Sequence, residues 1–196
     1  MLNPNLIVPV QKETGKMRIL KLAVFVTVIF TVLLITASVC KSEDNKTICG
    51  MSEHRIKSYQ ERIMPLIPMI KDILSEYNLD ENFIWLAMLE SGGKPQNESD
   101  KGAVGLWQLT APTARSNGCP SNKRTDPECS TRAAAHYLTK LLKKFNGNVW
   151  DAIVGYNMGG SNYKKKGKPT GEARYLANRV TCLMREMPLN TWYGEQ

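Results

Sequence analysis

The chain has 196 residues, 42% of them hydrophobic and 22% charged, which argues against disorder, a collagen repeat or a multi-span transporter and points to one modest domain. Five Cys are too few for a disulfide-built miniprotein, and only His54 and His136 are present, which argues against a His-rich catalytic metal site. A formal charge of +8 favours an anionic partner without naming it: nucleic acid, phospholipid or an acidic cell-wall polymer.

Residues 22–39 read LAVFVTVIFTVLLITASV, with no charge and no polar stripe, bounded by Lys21 and Lys41. Such a run is long enough for a bilayer core of about 30 Å at 1.5 Å per helical residue. Lys12, Lys16, Arg18 and Lys21 precede it against the single acid Glu13, so the positive-inside rule puts the C-terminal part outside the cytoplasm. A cleaved signal peptide is the competing reading, with Thr36-Ala37-Ser38 as a small-x-small site. The 21-residue leader and the length of the apolar run favour an uncleaved anchor. The expected organisation is a basic cytoplasmic leader over 1–21, a membrane anchor over 22–40, a linker and first helix region over 41–62, a main domain over 63–187 and a tail over 188–196.

The exported part carries Cys49, Cys119, Cys129 and Cys182, an even number suited to an oxidising compartment, and four Cys allow three pairings. Cys119 with Cys129 is favoured because it closes a short loop containing Pro120 and Pro127, and Cys49 with Cys182 would then tie the two ends of the domain.

Met69, Ile70, Ile73, Leu74 and Tyr77 have amphipathic helical spacing, with Pro65 and Pro68 suited to the start. Asn78-Leu79-Asp80-Glu81 has the form of an N-terminal cap for a following helix. That helix, Phe83 to Leu89, is apolar on every face, as a helix enclosed by others requires. Glu90 and Ser91 come directly after it, and Gly92-Gly93 ends it. A carboxyl desolvated by apolar neighbours has a raised pKa, the property a general acid needs near neutrality. From the local pattern alone, Glu90 could equally be a solvated helix-end residue.

Gly102 to Gln108 is a glycine-spaced turn carrying an aromatic and an amide, which are sugar-binding parts. Ser130 is expected to cap a helix over TRAAAHYLTKLLKKF, ended by Asn146-Gly147. Val149 to Val154 runs into Gly155-Tyr156-Asn157-Met158-Gly159, a phenol and an amide at a glycine-terminated helix end. Lys164-Lys165-Lys166 with Lys168 reads as a solvated loop, and a last helix runs from about Glu172 to Met187. No alternating strand pattern of any length is visible.

Glu90-Ser91, Gly105-Leu106-Trp107-Gln108 and Gly155-Tyr156-Asn157-Met158-Gly159 resemble, in order and spacing, the ES, GL(M/W)Q and AYNAG motifs of the soluble lytic transglycosylase (SLT) family, over about residues 63 to 183. Trp107 makes the second motif similar to the membrane-bound D-type branch. Gly155 and Met158 stand where the family usually has alanine. The closing ETRxYV motif is one residue short at Glu172-Ala173-Arg174-Tyr175-Leu176, so only Tyr175 carries over.

The resemblance implies an all-α, lysozyme-like (goose-type/SLT) domain acting on peptidoglycan without a cofactor. It implies Glu90 as the catalytic acid and then base, with Ser91, Gly105, Leu106, Gln108, Tyr156, Asn157 and Tyr175 around the substrate. Ser91 is expected to bond the carboxyl or fix the turn, and Trp107 to pack. Glycoside hydrolysis ordinarily needs two carboxylates. Glu98, Asp100, Asp126, Asp151 and Glu172 are available, but each reads more simply as a cap or solvated charge. A single-carboxylate, non-hydrolytic cleavage of the MurNAc–GlcNAc bond, leaving 1,6-anhydro ends, is therefore the expectation. The alternatives are a hydrolytic muramidase and a non-catalytic, membrane-tethered assembly factor. Glycan strands, the membrane through residues 22–40 and a secretion or conjugation apparatus are the candidate partners; scattered charge argues against nucleic acid.

Overall fold

A computed structural model describes residues 25–31 and 46–192. The chain divides into two compact units, 1–46 and 47–196. In the first, residues 25–31 are helical, with Phe25 and Phe30 more than half exposed. Among the described residues no helix is long and apolar enough to cross a membrane, and most of the span expected over 22–40 lies outside them.

Among its described residues the second unit is mainly helical, with one hairpin, β1 (Thr47–Ile48) and β2 (Met51–Ser52), paired antiparallel with Ile48 opposite Met51, and two isolated bridges at Val104. Two-residue strands are too short for alternation to register in a sequence. Ser52 caps α1 (Glu53–Ile63), its hydroxyl accepting from the Arg55 N–H. α2 (Ile67–Glu76) starts on Pro68 and buries Ile67, Ile70, Ile73 and Leu74. Asp80 then accepts from the Asn82 N–H and opens a 3-10 turn into α3 (Ile84–Ser91). Ile84, Trp85, Leu86, Ala87 and Met88 are each fully buried, so α3 is the enclosed helix its composition requires. The Trp85 indole donates to the Met187 carbonyl at 2.8 Å, pinning α3 to the end of the chain's last helix.

After α4 (Ala111–Ser116) the chain enters α5 (Pro127–Lys144). Its cap is Asp126 and not Ser130: the Asp126 carboxylate accepts from the Cys129 N–H, and Pro127 occupies the first turn, where a missing N–H costs nothing. Ser130 lies inside the helix, buried, and donates back to the Asp126 carbonyl. Asn148 caps α6 (Val149–Met158). The lysine cluster is not a loop either: Lys164, Lys165 and Lys166 form the last turn of the short helix α7 (Gly160–Lys166), where cations oppose the negative helix end. Thr170 caps α8 (Gly171–Glu186).

α6 is the hub, packing on α5, α7 and α8, while α3 packs on α8 and α2 on α5. A β-carbon at Gly155 would stand 2.8 Å from the Phe145 ring and 3.0 Å from Leu141. Glycine at this point of the third motif, where the family usually has alanine, is therefore matched to the bulk of Phe145. Cys119–Cys129 and Cys49–Cys182 are both bonded. The first closes a short loop onto the first turn of α5. The second ties the hairpin to α8 across 133 residues of sequence.

Candidate active site

α3 ends where its surroundings change from core to cleft. Gly92, left-handed, closes the helix, and the next elements leave a cleft of about 700 Å³ whose lining includes Leu89 and Glu90. Glu90 is half-buried and lines this cleft. Burial, reinforced by the negative charge of Glu172, pushes its pKa up from 4.5 to about 8. The carboxyl is thus held neutral at pH 7, as a proton donor must be.

Ser91 does not serve Glu90. Its hydroxyl donates to the Ala87 carbonyl at 3.0 Å and accepts from the Lys94 N–H at 3.2 Å, so of its two expected roles it takes the turn. Arg62 helps hold the same turn by donating to the Gly92 carbonyl at 2.7 Å.

The glycine-spaced turn forms a second wall. Gly105 and Leu106, expected around the substrate, do not line the cleft: Leu106 is fully buried, and Gly105 works through its backbone. A β-carbon at Gly105 would stand 1.9 Å from the Arg124 carbonyl oxygen, and its φ of +89° favours glycine in any case. This close approach sets the Gln108 side chain, whose amide nitrogen donates to the Asn97 and Gly105 carbonyls at 3.0 and 2.9 Å. Gln108 does line the cleft, and the two bonds occupy its nitrogen, leaving the amide oxygen as the group it can offer a ligand. Trp107 is fully buried and donates to the Thr131 hydroxyl at 2.8 Å, a packing role as expected.

α6 supplies the third wall through Tyr156 and Asn157. The Tyr156 phenol donates to the Trp107 carbonyl at 2.8 Å, joining the second and third motifs directly. Burial raises its pKa well above the ordinary value, with the charges of Glu90 and Tyr137 adding to the effect, so it acts as a neutral donor. Asn157 is exposed on the cleft. Tyr175, from α8, also lines it and is 58% exposed, with the Arg179 guanidinium 4.2 Å above its ring.

Several lining residues read in the sequence as scaffold or solvated charge. Tyr137 sits on the apolar face of α5, its ring 5.4 Å from that of Tyr156 and its phenol donating to the Gly155 carbonyl at 3.3 Å. Glu172 reads as a solvated helix start, yet it lines the cleft, raises the Glu90 pKa and pairs with Lys101 at 3.2 Å. Asp126 and Asp151 are accounted for elsewhere, as the α5 cap and as acceptor of the Tyr163 phenol. Among the described residues no group of three or more His, Cys, Asp or Glu could hold a metal ion.

An enclosed helix thus presents one neutral carboxyl to a cleft walled by an amide turn and a tyrosine-bearing helix, which defines a helical domain with a single-carboxyl cleft. Residues 68–177 match the family described as Transglycosylase SLT domain, and the chain belongs to that family. It is 32% identical over 114 residues to membrane-bound lytic murein transglycosylase F of Alcanivorax borkumensis, across 53% of this chain and 24% of that protein. It is 31% identical over 112 residues to the protein of the same name from Photobacterium profundum, across 53% of this chain and 21% of that one. The chain thus spans less than a quarter of the length of these relatives. The solved 70 kDa soluble lytic transglycosylase of Escherichia coli shares the fold, with a TM-score of 0.50 and 20% identity over 57% of this chain and 23% of that one.

Proposed function

We propose that this domain is a peptidoglycan lytic transglycosylase with Glu90 as its one catalytic carboxyl. The observation that carries the reading is a carboxyl kept protonated to about pH 8 on a cleft shared with Gln108, Tyr156 and Asn157. Glu90 gives its proton to the oxygen between N-acetylmuramic acid and N-acetylglucosamine as the bond from C1 to that oxygen breaks. The positive charge left at C1 is stabilised by the substrate's acetamido oxygen. Tyr156 and Asn157 hold that geometry, and Gln108 meets an acetamido or hydroxyl group. The muramic C6 hydroxyl oxygen then bonds to C1 while its proton returns to the Glu90 carboxylate. The product is a 1,6-anhydro end, the enzyme is restored and no water is consumed. Tyr175 stands at the rim of the same subsite.

We also infer that residues 22–40 anchor the chain in the inner membrane with the domain on the periplasmic side, where the two disulfides suit the redox conditions. There a secretion or conjugation apparatus is a fitting partner.

One observation favours a hydrolytic muramidase instead: Glu172 lines the cleft and acts electrostatically on Glu90, so a second carboxylate is present. Digesting purified murein with the full chain in detergent separates the two by mass spectrometry. Anhydro-muramic ends are expected, and reducing ends would assign hydrolysis. Glu90→Gln is expected to abolish turnover while leaving glycan binding intact; turnover retained in that variant removes Glu90 from the mechanism.

A further inference from the structure

The match to the family spans residues 68–177, yet the cleft wall extends beyond it at both ends. Met51 of β2 with Arg55 and Tyr59 of α1 precede the matched segment, and Arg179 of α8 follows it, and all four line the cleft. Three ties make this added wall one piece. The Cys49–Cys182 disulfide joins the hairpin to α8, the Arg179 guanidinium donates to the Gly50 carbonyl, and the same guanidinium lies over the Tyr175 ring. On α1, Arg62 lies 5.1 Å from the centre of the Tyr59 ring while bonding the Gly92 carbonyl, so this wall is also fixed to the turn that follows Glu90.

The wall's chemistry differs from that of the rest of the cleft. Together with the adjoining Tyr175 it offers two phenol rings and two guanidinium groups. Arg55 is exposed, and among the described residues no hydrogen bond or ion pair holds its guanidinium. The other ionised groups lining the cleft are Lys101 and Glu172, which pair with each other, and Asp100, so cations outnumber anions while Glu90 is neutral. Aromatic faces suit sugar rings, and guanidinium forks suit carboxylates. N-acetylglucosamine has no anionic group, whereas muramic acid bears a lactyl branch that ends in a carboxylate or continues into a peptide with carboxylates of its own.

We propose that Arg55, Tyr59, Tyr175 and Arg179 form a subsite for a carboxylate-bearing branch of the glycan, in which Arg55, Tyr59 and Arg179 lie outside the family's matched region and Tyr175 lies at its end. This rests on the glycan-cleaving reading above. Arg55 is its free contact, and Arg179 both positions the hairpin and lends charge.

The test uses the full chain in detergent, made inactive by Glu90→Gln, and measures affinity by calorimetry for three oligosaccharides of equal length. One is peptide-bearing murein glycan, the second is that glycan stripped by an amidase to free lactyl carboxylates, and the third is a chito-oligosaccharide without carboxylates. Arg55→Gln, at an exposed site, is expected to weaken carboxylate-bearing ligands about tenfold and leave the chito-oligosaccharide unchanged. A loss confined to the peptide-bearing ligand assigns the contact to the peptide, and a loss on both murein ligands assigns it to the lactyl group. An equal loss on all three, or on none, overturns the subsite. A parent that binds none of the three overturns the glycan-cleft reading itself.

Discussion

Exchanging Glu90 for Gln removes a titratable group whose folded and unfolded states differ widely in proton affinity, and the consequence for stability can be worked out. The unfolded chain releases the proton near 4.5, whereas burial holds it in the folded chain to about 8. Between those values the folded state binds the extra proton, so stability is full below pH 4.5, falls as pH rises and levels off above the folded value. At about 1.36 kcal/mol per pH unit, the parent loses roughly 3 kcal/mol by pH 7 and about 5 kcal/mol once pH passes the folded value. Gln has no such linkage. Urea unfolding at a series of pH values should therefore show the two proteins alike near pH 4, with the Gln variant more stable by about 3 kcal/mol at neutrality and by more above pH 8. That is a large share of a domain's usual 5–15 kcal/mol, and it measures what the site costs the fold. Parallel stability curves for parent and variant across this range would refute the claim that Glu90 is held neutral.

The alkaline limb of the pH–rate profile should respond to the neighbours of Glu90 with opposite signs. Glu172→Gln removes a negative charge and should move the limb down by roughly 0.3 to 0.5 pH unit, while Lys101→Met bares the Glu172 charge and should move it up by a similar amount. Initial rates on labelled murein from pH 5 to 9.5 check both; shifts in the same direction, or none, would show that this pair does not act on the acid. Gly105→Ala should destabilise by about 3 kcal/mol or more, because the added carbon meets a backbone oxygen at 1.9 Å in a left-handed turn. Denaturant unfolding measures it, and a loss under about 1 kcal/mol would mean that the turn relaxes freely.

Much of the helical scaffold was legible because its causes are local. α3 is apolar on every side, and no arrangement except enclosure satisfies it. Asp80 and Gly92 are short-range start and stop signals that hold in any context. Where two local signals compete, the local pattern misplaces an element. Asp126-Pro127 outweighs Ser130 as the start of α5 because an ionised acceptor next to a proline suits the first turn better than a hydroxyl inside the helix. The lysine cluster of α7 looked like a loop because polar residues without an apolar stripe give no helical period.

The candidate site divides along the same line. Glu90, Gln108, Tyr156 and Asn157 are ordered in the chain by motifs whose spacing can be read directly, and all four line one cleft. Ser91, Gly105 and Leu106 belong to the same motifs but support the backbone, a distinction that depends on which way each side chain points after folding. Glu172, Lys101, Arg55, Tyr59, Tyr137 and Arg179 come from four separate stretches of chain, and only tertiary packing brings them to the cleft. The sequence by itself therefore determined most of the helices and the order of the motifs, since these follow from nearest neighbours and spacing. The tertiary structure alone decided how strongly Glu90 holds its proton and what else faces the substrate, because desolvation and through-space charge depend on which distant segments close around it.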